Sequence, residues 1–439
     1  MTSEITIFFI AFAVLLFFFG LVSRKISDTV VTAPMIFVAA GMLLSPEGLD
    51  LVNLSSSSTF ILNLAELALV LTLFSDASKI DLQALLHEEK LPGRLLLIGM
   101  PLTIALGAII AAFLFKNITL AEAGLIGAML SPTDAGLGQA IVNNTKVPEK
   151  IRQALNVESG LNDGGAIPFF LFFLILVSGE ALKRPVGTLI VLAFEQIGIG
   201  MLVGAVIGLV GGWLSNKAVK AGWMEGLYRK IGFMSLAVIS WLVADLLGGS
   251  GFIAAFTGGL ITQAAGKIKV TEEEIILTEA EGNILSFAVF LIFGIIVTTK
   301  IVTISWPIFI YAILSLTVIR MIPVAISLIG MKLHTETVLF LGWFGPRGLA
   351  SVVLLLISME DMKGVGGSET VNLAVITTVL LSVFMQGATA SPGSEWYARI
   401  VATLPDYSLE CKKIEKALTS SEETASKNLL NNSEVKYKK

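Results

Sequence analysis

Six ionisable residues fall inside stretches otherwise built of apolar side chains: Glu66, Asp134, Glu158, Asp163, Arg320 and Arg347. One ionised residue at mid-membrane costs about 2.5–3.5 kcal/mol on insertion scales, so six cost roughly 15–20 kcal/mol before pairing. Side chains kept at that cost are paired, chemically useful, or both. The densest group occupies two neighbouring stretches, Ser131-Pro132-Thr133-Asp134-Ala135-Gly136 and Glu158-Ser159-Gly160-Leu161-Asn162-Asp163-Gly164-Gly165. On a helix, Ser159 and Asp163 are four apart and share a face, while Glu158 and Asn162 form a second pair rotated by about 100°. The first face offers hydroxyl and carboxylate oxygens. With Asp134 and a carbonyl freed near Thr133, it makes an all-oxygen ligand set suited to a hard cation.

The second face needs a cationic partner, for which Arg320 is the candidate. Asp134 alone also reads as a helix cap at a kink, and Asp163 alone as a structural polar contact. Both within thirty positions and beside Glu158 read better as a site. Arg320 and Arg347 are expected to organise it without binding substrate, since a fixed cation repels a cation in transit. Asp76, Glu195, Asp245 and Glu281 are expected nearer span ends and are assigned no function.

The elements that must position these residues follow from composition. Of 439 residues 55% are apolar and 15% charged, with a mean hydropathy of +0.84, more apolar surface than a soluble chain can hide. Apolar runs long enough to cross a bilayer fall at 5–22, 30–46, 59–76, 93–115, 121–142, 150–178, 187–215, 229–247, 250–266, 275–299, 304–330, 337–358 and 370–391. This predicts an all-α polytopic membrane protein with about thirteen transmembrane helices. Short alternating segments of a β-barrel are not what the runs look like. The single cysteine, Cys411, rules out a disulfide scaffold, and a net charge of -4 without a basic domain argues against a nucleic-acid partner.

Loops after odd-numbered spans with the span ends that border them, together with the tail, hold 23 of the 28 lysines and arginines other than Arg320 and Arg347. That bias places them in the cytoplasm with the C-terminus, and the N-terminus outside. The first span lacks a positive leader and reads as a retained helix. Residues 1–394 form the transmembrane domain, and 395–439 are expected to be a short, solvated cytoplasmic tail. His87 and His334 are expected at the surface of cytoplasmic loops.

Pro132 lacks an amide donor and opens the fifth span near its middle. Unwound backbone at membrane depth is tolerated where protein or a water-filled cavity satisfies it, which is how many transporters build ion sites. Spans four to six read as a plain helix, a broken helix and a third helix. Spans eleven to thirteen repeat the theme, with the break at Gly345-Pro346-Arg347-Gly348. Seven spans separate corresponding members, so the second triplet is inverted in the membrane, the plan of secondary transporters.

In this order and on these spans, the residues resemble the monovalent cation/proton antiporter-1 family, the sodium/proton exchangers of the NhaP and NHE kind. The resemblance covers roughly residues 5–392. It implies an NhaA-like fold with inverted repeats and two broken crossing helices, a core of helices from about 93–178 and 304–391, and a dimerisation part made of the rest. It further implies an elevator-like movement and a homodimer in a prokaryotic-type plasma membrane, serving pH homeostasis. Asp163 would be the principal ion- and proton-binding carboxylate with Asp134 its partner; Ser159 and the Thr133 backbone would face the ion, and Glu158 would reach it through water. Asn162 would be held by Glu158 and Arg320, and Arg347 is expected to pair with Glu66.

Gly160, Gly164 and Gly165 depart from the family pattern toward a more flexible helix. Asn162 stands where electrogenic relatives have a second aspartate, which favours one-for-one exchange. The expected activity is exchange of a monovalent cation, Na+ before K+, for H+, without a resident cofactor and without enzyme activity. A passive cation channel and an intramembrane aspartyl protease are the rivals. The protease rests on two aspartates sharing a proton, but its Gly-x-Gly-Asp motif is absent.

Overall fold

The computed structural model describes residues 2–27, 29–53, 59–80, 90–134, 136–137, 141, 144–178, 185–265 and 272–403. Ala135, His87, Cys411 and the tail from 404 onward lie outside these. Among the described residues the chain is helical, and its helices fall on the thirteen expected spans. They are α1 (Thr2–Ser27), α2 (Ala33–Leu44), α3 (Thr59–Ser78), α4 (Leu91–Leu114), α5 (Leu120–Met129), α6 (Glu149–Val177), α7 (Val186–Lys220), α8 (Gly226–Leu246), α9 (Gly251–Ala265), α10 (Glu272–Lys300), α11 (Trp306–Ser327), α12 (Thr335–Trp343), α13 (Leu349–Asp361) and α14 (Ser368–Val401). Helices α12 and α13 are the halves of the twelfth span.

Phe17, Phe18 and Leu21 of α1, and Phe194 and Leu202 of α7, stand exposed. Hydrocarbon covers such belts where water would not. The chain is an integral membrane protein.

Two groups of helices pack internally. One comprises α2, α3 and α7 to α10; the other comprises α4 to α6 with α11 to α14. In the first, Gly200, Gly204 and Gly208 of α7 stand four apart, and a β-carbon on each would strike the carbonyl of Ser250, Ala254 or Gly258. Helices in lipid associate through such close approach, because hydrocarbon supplies no hydrophobic drive between them. The groups meet where α3, α7 and α9 lie on α6 and where α3 and α10 lie on α13. There the glycines of α6 act differently from the expectation of flexibility. The helix is continuous; Gly160 admits Asp76 of α3 and Gly164 admits the ring of Phe256 of α9.

Helix α5 starts at a capping box, in which Thr119 Oγ1 accepts from the Glu122 amide at 3.2 Å and Glu122 Oε2 accepts from the Thr119 amide at 2.6 Å. In α4 the turn Leu95–Gly99 widens to a π-helix just ahead of Pro101, which cannot donate to residue 97. The eleventh span, expected as a plain helix, is interrupted at Thr317, with Arg320 in its second segment. The last helix contains a π-turn at Ser382–Gln386 and runs to Val401, past the expected tail boundary at 394. Its extension is held by buried Tyr397, whose ring stacks on Phe340 at 4.2 Å. His334 is exposed, as expected.

Candidate functional site

The two broken spans cross at their open stretches. Helix α5 stops at Met129 and α12 at Trp343, and residues 131–134 and 344–348 lie outside regular helix. The stretches bind each other directly, the Asp134 amide donating to the Pro346 carbonyl at 2.7 Å. The Asp134 carboxylate closes the start of α13: Oδ2 accepts from the Leu349 amide at 3.0 Å, and Oδ1 from the Gly136 amide at 2.7 Å. Its reading as a cap is therefore realised, on the opposite broken helix.

The complementary charge sits at the end of α5. Arg347 Nη1 donates to the Ser131 and Pro132 carbonyls at 2.8 and 3.2 Å, and Ser351 Oγ donates to the Met129 carbonyl at 2.7 Å. An acid at the start of one half-helix and a cation at the end of the other compensate both partial charges. Gly348 permits the crossing, since a β-carbon there would overlap the Asp134 carboxylate.

Helix α6 brings the second motif onto the break. Asn162 clasps Thr133, its Oδ1 accepting from the Thr133 amide at 3.0 Å and its Nδ2 donating to Thr133 Oγ1 at 2.6 Å. This corrects the expectation that Glu158 and Arg320 hold it; the bare amide of an unwound stretch is the stronger claimant. Ser159 Oγ donates to the Thr133 carbonyl, so two ligand oxygens foreseen from the sequence lie side by side. Asp163 is buried, and its Oδ1 has no hydrogen-bond partner among the described residues.

Glu158 and Arg320 pair as expected, Nη2 to Oε1 at 2.6 Å with both side chains buried. Arg347 does not pair with Glu66. Its charged neighbours are Arg320 and Glu158, whereas those of Glu66 are Asp245 and Asp361. Its main-chain amide is held by Ser382 Oγ at 2.6 Å, and Ser382 in turn donates to Gln386, whose Nε2 reaches the Trp343 carbonyl at 2.6 Å. The π-turn of α14 thereby clamps both ends of the break.

Sequence reasoning passed over Ser382, Gln386 and Asp76. A polar residue bound to backbone leaves no signal in a single sequence. Asp76 did leave one, a carboxylate expected near a span end, where water or headgroups reduce its cost and no function is assigned. Folding sets Asp76 against Gly160, within electrostatic reach of Asp163 and Asp134.

Comparison with known proteins agrees with this architecture. The family model described as sodium/hydrogen exchanger, transmembrane, matches residues 10–396. The chain is 26% identical to the K(+)/H(+) antiporter NhaP2 of Shewanella baltica, over 88% of this chain and 66% of that protein. It is 28% identical to the Na(+)/H(+) antiporter NhaH of Halobacillus dabanensis, over 64% of this chain and 70% of that protein. The chain thus spans just under two thirds of the length of the NhaP2 relative. Its fold is similar to that of the sodium proton antiporter MjNhaP1 of Methanocaldococcus jannaschii, with a TM-score of 0.72 and 18% identity over 90% of this chain and 99% of that one.

Proposed function

The chain belongs to the sodium/hydrogen exchanger family, and on that premise we propose that it is a secondary active antiporter exchanging a monovalent cation for H+. Cation and proton compete at Asp163 and Asp134. The observation that carries this reading is the buried Asp163 Oδ1, which no described residue satisfies. A bare carboxylate oxygen away from water is stable only when neutralised. A proton and a cation do this in turn, and alternation between them across two faces of a membrane is exchange.

The cation's ligands are Asp163, Asp134, Ser159 Oγ and the Thr133 carbonyl. The Asp134 carboxylate accepts from the Leu349, Gly136 and Leu137 amides and keeps a further lone-pair site. Glu158 acts through water, and Asn162, Arg320 and Arg347 shape the site without touching the ion. Na+ is the first reading. K+ is the second, because several relatives are named as K(+)/H(+) antiporters. The protein works as a homodimer through α1 to α3 and α7 to α10, in a plasma membrane with its N-terminus outside and C-terminus in the cytoplasm.

Vesicles holding the purified protein and a pH-sensitive dye test the function. Under an imposed pH gradient, external Na+ or K+ is expected to drive proton movement that impermeant cations do not. A passive channel gives cation current without coupled proton flux, and a protease gives neither. Proton flux indifferent to every monovalent cation overturns the proposal.

A further inference from the structure

Asp76 lies near the end of α3, and its β-carbon comes within 3.3 Å of where a side chain on Gly160 would begin. Gly160 precedes Asp163 by three residues, so the two share a face of α6. Asp76 therefore lies against the face of α6 that carries Asp163 and acts on it electrostatically. The Lys79 ammonium stands 3.1 Å from Asp76 Oδ1 and 3.0 Å from Glu279 Oε1 of α10. Side-chain exposure rises from 23% at Asp76 through 32% at Lys79 to 41% at Glu279, so Glu279 is the more open of the two partners of Lys79.

We propose that Lys79 is a tethered competitor for the transported cation, resting on Asp76 at the mouth of the site and withdrawn onto Glu279 when a cation arrives. The inference rests on the reading of Asp163 and Asp134 as a cation and proton site. A lysine ammonium is a compact point charge on a flexible stem, and it seeks the same carboxylate oxygens as a small metal cation. Because Glu279 already shares the ammonium, giving up Asp76 leaves Lys79 paired. Burial works against the charge on Lys79, but Asp76 and Glu279 outweigh it and raise its pKa above the usual lysine value. Both carboxylates thus favour the ammonium form of the competitor. Among described residues, the ionisable groups facing Asp76 are Lys79, Glu279, Asp163 and Asp134.

The test is Na+ binding to the detergent-solubilised protein, read as thermal stabilisation against Na+ concentration with choline holding ionic strength constant. Lys79→Met is expected to tighten apparent binding by about two- to fivefold, the scale of a partly exposed ion pair. Glu279→Gln is expected to weaken it, by leaving Lys79 to Asp76 alone. In the Lys79→Met background, Glu279→Gln is expected to have no further effect, whereas a general surface charge would act equally in both backgrounds. Lys79→Arg keeps the charge in a bulkier head and is expected to bind Na+ closer to wild type than Lys79→Met does, which separates competition from damage to the fold. Unchanged affinity in Lys79→Met, or equal effects of Glu279→Gln in the two backgrounds, overturns the inference. Vesicle exchange measured in parallel separates the premises: Na+ binding without exchange contradicts the antiporter reading alone.

Discussion

Arg320 and Arg347 are both buried among helices, yet they meet different needs. Arg320 answers a charge, Glu158, at 2.6 Å, whereas Arg347 answers the carbonyls of an opened helix. Replacing Arg320 with alanine leaves Glu158 buried and alone, a loss of about 3–5 kcal/mol when a buried pair is broken from one side. The variant is expected to melt well below wild type in detergent while its apparent cation affinity changes less. A wild-type melting temperature with much weaker cation binding would put Arg320 on the substrate path. The Glu158 and Arg320 partnership was legible because opposite charges at membrane depth must find each other. The partners of Asn162 and Arg347 were not, because they are main-chain atoms, which every residue possesses and no residue advertises.

The elements divide in the same way. Proline and glycine marked where the fifth and twelfth spans open, but the crossing of the two openings is a tertiary event. Its tightest point is Gly348 against Asp134. Gly348→Ala inserts a methyl where no space exists, an overpacking cost of about 1–3 kcal/mol or more, and moves the carboxylate that caps α13. It is expected to lower the melting temperature and abolish exchange. Gly93→Ala, in open space at the start of α4, is expected to leave both unchanged. If Gly348→Ala exchanges at wild-type rate, the crossing is not what holds Asp134 in place. The interruption at Thr317 and the run of α14 to Val401 escaped sequence reasoning for a related cause. Hydropathy reports what lies in lipid and is blind to packing such as that of Tyr397 on Phe340.

At the scale of the molecule, α3 of one helical group presents Asp76 to α6 of the other, so relative movement of the groups changes what the site sees. Asn162 adds no titratable group, and a site holding either one cation or one proton equivalent crosses with the same net charge in both directions. Exchange is then expected to ignore membrane potential, which otherwise acts at about 2.3 kcal/mol per charge per 100 mV. Initial rates in vesicles clamped with potassium and valinomycin at zero and at about -100 mV should agree; a several-fold difference rejects one-for-one stoichiometry. Competition also sets the sign of the pH response: protons displace the cation, so apparent cation affinity falls as pH falls, and the acid limb of the rate profile moves when cation is raised. The inverted pair of broken helices that makes this plan was legible in hydropathy and punctuation, whereas the third carboxylate, Asp76, needed the fold. The claim on which all of this depends is that Asp163 carries both ions. Cation-driven proton flux in vesicles should vanish in Asp163→Asn, with the protein still folded and its melting temperature no longer raised by Na+. Flux at the wild-type rate in that variant would contradict it.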